Sequence, residues 1–456
     1  MKQDMTNPGP EPVSLIVQGA WVLTMNREHQ VFSPGAVALK GDEIVAVGPP
    51  AELRARYAPA QVLDYPQGLI LPGLINAHTH AAMSLFRGLA DDLPLEEWLN
   101  KYIFPAESRL NGDFVYWGTK LAVAEMLLSG TTTFTDMYLF ADHVARAAAE
   151  TGIRAVVGEV LYDFPSPNYG PPEAGLKFSE DLCRTWQDHP LISVAIQPHA
   201  VYTCSPELLL QCGELAEKYD TRLIIHLAET HKEVTDCQSQ HGATPVGHLY
   251  RLGLLNRRLV ADHAVVLSVA DLMLLAASGA GVAHCPESNM KLASGIAPVA
   301  ELLRRGVSVG LGTDGCASNN NLDLIQEMDT AAKLQKVDRM DPTVLPAPAA
   351  LGLATSGGAR VLGLENRVGV LAPGLKGDLI VIDLDQPHLT PLYDPYSHLV
   401  YAATGADVQT VLVNGRVVVQ DRRLLSFDLE ETLARARELA GGLLAKKVGN
   451  LTSRSG

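Results

Sequence analysis

The chain has 456 residues, with 36 Lys and Arg against 51 Asp and Glu, giving a formal charge of −15. That sign argues against a nucleic-acid backbone as the main partner, because such binding runs on clustered cations. With 47% hydrophobic and 19% charged residues the chain can bury a sizeable core, so wholesale disorder is excluded. At roughly 150 residues per domain the length suggests two or three domains, since an α/β barrel alone commonly takes about 250. The six cysteines are scattered and form no CxxC pair, which fits a reducing cytosol better than a disulfide framework. The segment from Met1 to Ser14 has no apolar export region, and no run of 18 apolar residues appears, so a cytoplasmic chain that avoids membranes is expected.

From Ser14 to about Ala60 short apolar runs (Leu15 to Val17, Trp21 to Met25, Val37 to Leu39, Ile44 to Val47) are separated by Gly41-Asp42 and Gly48-Pro49-Pro50, which reads as a β-meander rather than helices. From about Gly68 to Leu364 buried strands alternate with helices. Leu191 to Gln197 is a strand, Ser205-Pro206 opens a helix toward Tyr219, and Leu223 to Leu227 is the next strand. Val260 to Leu267 precedes Ser268 and Asp271, a capping-box pattern, and Gly279 ends that helix before Gly281 to His284. A helix from Pro298 to Arg305 stops at Gly306 and delivers Val307 to Leu311. The β texture returns at Gly377 to Ile382 and Thr410 to Val419, where Asn414-Gly415 signals a hairpin. Leu429 to Lys447 reads as a terminal helix.

Repeated βα units predict an α/β fold: a (β/α)₈ barrel over residues 68–364, beside a small composite β-sandwich domain built from residues 1–67 and 365–456. An open doubly wound sheet is disfavoured because no GxGxxG opens a helix after the first strand. In a barrel the C-terminal strand ends form the site. The first barrel strand, within Gly68 to Ala77, ends in His78-Thr79-His80, whose two imidazoles share one face by strand alternation. Later strand ends carry His199, His226 with Glu229, His263, His284 and Asp314, at intervals of 27, 37, 21 and 30 residues, each about one βα unit. A packed core histidine explains any one of these, but poorly explains five strand ends in succession. His78, His80, His226 and Asp314 make a donor set suited to one Zn²⁺ per subunit, with Fe²⁺ or Mn²⁺ using similar donors. No lysine stands beside His199 to bridge two metals.

Pro72 to His80, Arg87 to Leu95 with Glu97-Trp98-Leu99, Phe104 to Glu107, His226 to Thr230, and Gly312 to Gly315 with Ser318-Asn319-Asn320 together resemble the amidohydrolase superfamily, and within it the methylthioadenosine/S-adenosylhomocysteine deaminases. The resemblance spans nearly the whole chain. It implies a metal-dependent barrel that deaminates adenine nucleosides (5′-methylthioadenosine, S-adenosylhomocysteine or adenosine) to the inosine counterpart with release of ammonia. It also implies roles for single residues: Glu229, His263 and Asp314 would be catalytic, while Glu107, Trp98 and His199, with Glu229 and Asp314, would contact substrate. His284, Ser288 and Asn289 are candidates for shaping the pocket. The stretch from Gly158 to Tyr162 departs from the family, in which an arginine often follows the third strand, and so leaves open how a homocysteine carboxylate would be held. Two other readings remain at this stage: a hydrolase of amino- or chloro-triazines or another amino-heterocycle, and a non-catalytic metal-binding scaffold. The expected partners are a small nucleoside and further copies of the chain, with neither nucleic acid nor membrane.

Overall fold

The computed structural model describes residues 9–452. Eight parallel strand positions follow one another around a barrel: Leu74–Thr79, Thr131–Tyr138, Arg154–Leu161, Ile192–Val194 continued by Gln197–Pro198, Leu223–Leu227, Leu259–His263, Gly281–His284 and Ser308–Leu311. These are called strands 1 to 8. Strands 1 to 4 pair in one run and strands 5 to 8 in another, and parallel bridges Ile196↔Leu223 and Ala200↔His226 join them. Asp314 N donates to His78 O (3.0 Å), which closes strand 8 onto strand 1 at the C-terminal mouth. Strands 1 to 3 and 5 to 7 are buried at every residue, as expected of a sheet covered by helices on one side and filled by side chains on the other.

Helix boundaries follow their capping chemistry. The Ser205 side chain accepts from Leu208 N at the start of Pro206–Lys218, and Ser268 with Asp271 forms the capping box of Val269–Ser278, which ends at left-handed Gly279. Strand 6 stops at His263 rather than running to Leu267, because His263 and Ala264 both adopt positive φ.

Chain from both ends forms one nine-stranded sheet. The first two apolar runs are a single strand, Glu11–Leu23, with a bulge between Gly19 and Trp21. Tyr57–Pro72 pairs parallel to it and antiparallel to Leu379–Asp383, joining the N- and C-terminal portions. Residues Gly68 to Pro72 therefore belong to this sheet, and the first barrel strand begins only at Leu74. A short helix, Pro50–Arg56, interrupts what alternation alone reads as continuous β-structure. Asn414 and Gly415 both have positive φ (51° and 74°), the geometry a two-residue hairpin requires.

Barrel and sheet are pinned by a buried ion pair. Arg154, at the start of strand 3, donates to Asp378 from Nε (2.9 Å) and from a terminal nitrogen (3.0 Å), and also to the Pro190 carbonyl. Asp378 in turn accepts from Asn414 N, and both charged side chains are within 3% of full burial. Removing one partner strands the other charge without solvent, which costs about 3 to 5 kcal/mol, whereas replacing both by packed apolar groups is far cheaper. Asp378→Ala is therefore expected to lower unfolding stability by about that amount, with Arg154→Met/Asp378→Leu recovering much of it; urea unfolding of the three proteins decides.

Candidate metal and active site

His78 lies at the end of strand 1 and His80 just past it, and, as alternation requires, both rings reach the same cluster. His226 ends strand 5, whose register pairs it with Asp262, and Leu227 with His263, on strand 6. Asp314 follows strand 8. His78, His80 and His226 bring ligand atoms within 4.8 Å of one another, as do His78, His263 and Asp314. Asp314 Oδ1 lies 3.5 Å from His78 Nε2 and 3.2 Å from His80 Nε2.

Each imidazole is oriented from behind. Nδ1 of His80 meets the Met137 carbonyl, and Nδ1 of His226 meets the His199 carbonyl at 2.9 Å. His78 Nδ1 lies 2.9 Å from Asp262 Oδ2, with both side chains fully buried. A carbonyl acceptor on Nδ1 demands the N–H there, so the Nε2 lone pairs of His80 and His226 face inward. Nδ1 of His263 lies 2.9 Å from Asn289 Oδ1, leaving its Nε2 toward the same centre. These donors fit a divalent cation. The buried carboxylates of Asp262 and Asp314 have no Lys or Arg ion-pair partner among the described residues. Burial alone would lower the His78 pKa, yet the Asp262 and Asp314 carboxylates outweigh it and raise it to about 10. The two carboxylates thus favour positive charge at the pocket floor, which a divalent cation would supply.

Asp314 is itself held firmly. Ser288 Oγ (2.6 Å) and Ser318 Oγ (2.8 Å) donate to its Oδ2, and Gly315 N donates to Oδ1 (2.8 Å). Burial would raise this acid, but His78 and His80 hold it well below the usual carboxylate range. Glu229 stands on the turn after strand 5, 6% exposed, and accepts from Ser294 Oγ (3.3 Å). That turn has Ala228 at φ 52°, and Glu233 pins it: its two carboxylate oxygens accept the N–H groups of Ala228 (2.8 Å) and Glu229 (2.7 Å).

A pocket above the cluster is lined by His80, His226, Glu229, His263 and Asp314 together with Trp98, Glu107 and His199, and the fully buried His78 lies against His80, His226 and His263. Trp98 and Glu107 come from the helical segment after strand 1, which passes through a π-helical turn at Leu99–Ile103. Burial pushes the Glu107 carboxyl up to about 7, with the Tyr138 hydroxyl and His80 opposing. Burial also pushes His199 down to about 3 and keeps it neutral, its Nδ1 2.9 Å from Thr203 Oγ1. Ser288 and Asn289 act on Asp314 and His263, whereas His284 is wholly buried and does not line the pocket.

Asp262, Glu233, Tyr138 and Tyr162 escaped sequence reasoning. Alternation sends Asp262 and His263 to opposite faces, and only the positive φ of His263 (70°) lets both serve the cluster. Glu233 carried a signal: it lies three residues after Thr230, the N-cap that accepts from Glu233 N, although its carboxylate reaches Ala228 and Glu229 rather than the cap itself.

Residues 69–418 match the amidohydrolase family, and residues 35–60 match an imidazolonepropionase-like composite domain of bacteria. The 5-methylthioadenosine/S-adenosylhomocysteine deaminase of Syntrophobacter fumaroxidans is 56% identical over 432 residues, covering 95% of this chain and 99% of the relative. Its counterpart in Syntrophus aciditrophicus is 51% identical over 431 residues, covering 94% and 97%. Among solved structures, an adenosine deaminase from Xanthomonas campestris with bound zinc superposes with a TM-score of 0.94 at 41% identity, covering 96% of this chain and 100% of that one. Zinc-bound atrazine chlorohydrolase from Arthrobacter aurescens gives 0.87 at 25% identity, covering 93% and 100%. Fold, oriented histidine cluster and relatives agree: the chain belongs to the amidohydrolase family, in the branch of the methylthioadenosine/S-adenosylhomocysteine deaminases.

Proposed function

We propose that the chain hydrolytically deaminates adenine nucleosides, 5′-methylthioadenosine, S-adenosylhomocysteine and adenosine among them, to their inosine counterparts with release of ammonia. The observation that carries this reading is the convergence of Glu229, His263 and Asp314 on inward-facing imidazole nitrogens in one pocket. His78, His80, His226 and Asp314 would hold one Zn²⁺, a choice supported by their imidazole-plus-carboxylate chemistry and by the zinc in solved relatives. Zinc bound there supplies the positive charge that makes a water acidic near neutral pH.

The remaining work falls to side chains. Asp314 accepts a proton from the attacking water, while His263, steadied by Asn289, orients that water toward the amino-bearing ring carbon. As this carbon becomes tetrahedral, the neighbouring ring nitrogen needs a proton, and Glu229, steadied by Ser294, delivers it. The proton taken up by Asp314 passes to the amino group, ammonia leaves, and the hydroxyl left on the ring carbon returns its proton to Glu229 as the carbonyl forms. Neutral His199 contacts the purine, the Glu107 carboxylate accepts from the ribose hydroxyls, and Trp98 packs against the sugar side. The triazine alternative lacks a use for a half-buried carboxylate so placed.

Zinc-loaded protein is expected to release ammonia from 5′-methylthioadenosine; no release from any adenine nucleoside would sink the proposal. Glu229→Gln should lower kcat by at least about 100-fold, the usual scale of a lost general acid, with zinc content by elemental analysis unchanged. Glu107 loses its charge below about pH 7, so KM for a riboside should fall as pH rises through that value. In Glu107→Gln this pH dependence should vanish, with KM raised about tenfold at high pH.

A further inference from the structure

The catalytic pocket opens past Glu229 into a larger outer chamber, and Phe104, Tyr202 and Leu292 line both spaces. Phe104 sits one helical turn before Glu107 and lines the passage between the two spaces. Resting on the nucleoside-deaminase reading, we propose that this chamber receives the 5′ substituent. We further propose that Phe104, Tyr162, Phe164 and Glu233 make it rank apolar 5′-thioethers above substituents ending in a carboxylate.

Two independent features support the ranking. The first is an aromatic wall: Phe104 and Phe164, both lining the chamber, meet edge-on at 5.9 Å, and Tyr162, which lines the inner pocket, stacks behind Phe164 with centroids 3.8 Å apart and planes 9° from parallel. A thioether sulfur gains from contact with aromatic rings, and an alkyl chain gains from leaving water there. The second is charge. The chamber is faced by the carboxylates of Glu229, Glu233 and Asp236 and by the cations or potential cations Lys232 and His231, with no arginine among its described lining residues. Lys232 is engaged by Asp236 at 2.6 Å, and Glu233 lies beside this pair, so an entering carboxylate meets acidic groups and no arginine. A carboxylate-ended tail entering this space loses water and gains like charge. An ammonium group meets no such opposition.

The test compares kcat/KM of the zinc-loaded enzyme for 5′-methylthioadenosine, 5′-butylthioadenosine, S-adenosylhomocysteine and the decarboxylated analogue of the last, which keeps the amine. The two thioethers are expected to agree within a few-fold and S-adenosylhomocysteine to fall at least about tenfold below them, with removal of the carboxylate restoring the loss. Equal or better use of S-adenosylhomocysteine relative to 5′-butylthioadenosine overturns the ranking while leaving the deaminase reading intact. Failure of every nucleoside overturns both. Phe164→Arg, at a half-buried position on the lip, is expected to narrow the gap by raising kcat/KM for S-adenosylhomocysteine; an unchanged gap overturns the assignment of this wall.

Discussion

Closure of strand 8 onto strand 1 is the constraint on which the site depends. It brings Asp314 to within 3.2 to 3.5 Å of imidazoles that lie more than 230 residues earlier in the chain. The approach is so close that side chains are excluded from it: a Cβ on Gly312 would lie 2.8 Å from the His78 Cβ, and one on Gly310 would lie 3.2 Å from the Ala77 Cβ and 2.9 Å from the Gly358 backbone of a later helix. Glycine at these two positions is therefore a packing requirement of closure. Bringing such distant segments together costs chain entropy that only the completed barrel recovers, so the donor set exists only when all eight strand positions are in place.

Closure alone would not aim the donors. Strand alternation sends neighbouring side chains to opposite faces, yet the mouth needs several consecutive ones. The chain resolves this with left-handed residues at the strand ends: Ala228 (φ 52°), His263 (φ 70°) and Asp314 (φ 61°). Each such conformation costs on the order of 1 to 3 kcal/mol in a non-glycine residue and persists only where its surroundings over-determine it. Here they do so by hydrogen bonding, through Glu233 on the Ala228 turn, Asn289 on His263, and Ser288, Ser318 and Gly315 on Asp314. Local strain at the mouth is offset by packing elsewhere in the barrel.

These devices also explain what could be read from the chain beforehand. His78 and His80 were legible because period-two alternation holds to the end of strand 1, and the later histidines because βα units recur at even intervals. Capping residues such as Ser205, Ser268 and Gly279 marked helix ends because their chemistry is local. Asp262 was hidden, since its role requires a break in alternation that nothing in its neighbours announces. The end of strand Tyr57–Pro72 reads as barrel because Leu69 to Leu71 are as apolar as a barrel strand; only their pairing with Leu379–Asp383, more than 300 residues away, assigns them to the other sheet. The stacked wall of Tyr162 and Phe164 likewise depends on a loop path that composition does not encode.

The turn from Ala228 to Glu233 couples chemistry to recognition. Its first half aims Glu229 into the pocket, and its second half, together with the start of helix His231–His241, forms the acidic side of the outer chamber. Burial raises Glu233 to about 7, against the backbone N–H groups that favour its charged form, so its ionisation is poised rather than fixed. When charged, it strengthens its grip on the Ala228 and Glu229 amides and at the same moment sharpens the field against an incoming carboxylate. One buried acid thereby ties the position of the proton-delivering side chain to the electrostatics met by the far end of the substrate. Loosening that acid would disturb both together, whereas a change confined to the aromatic wall would disturb only recognition.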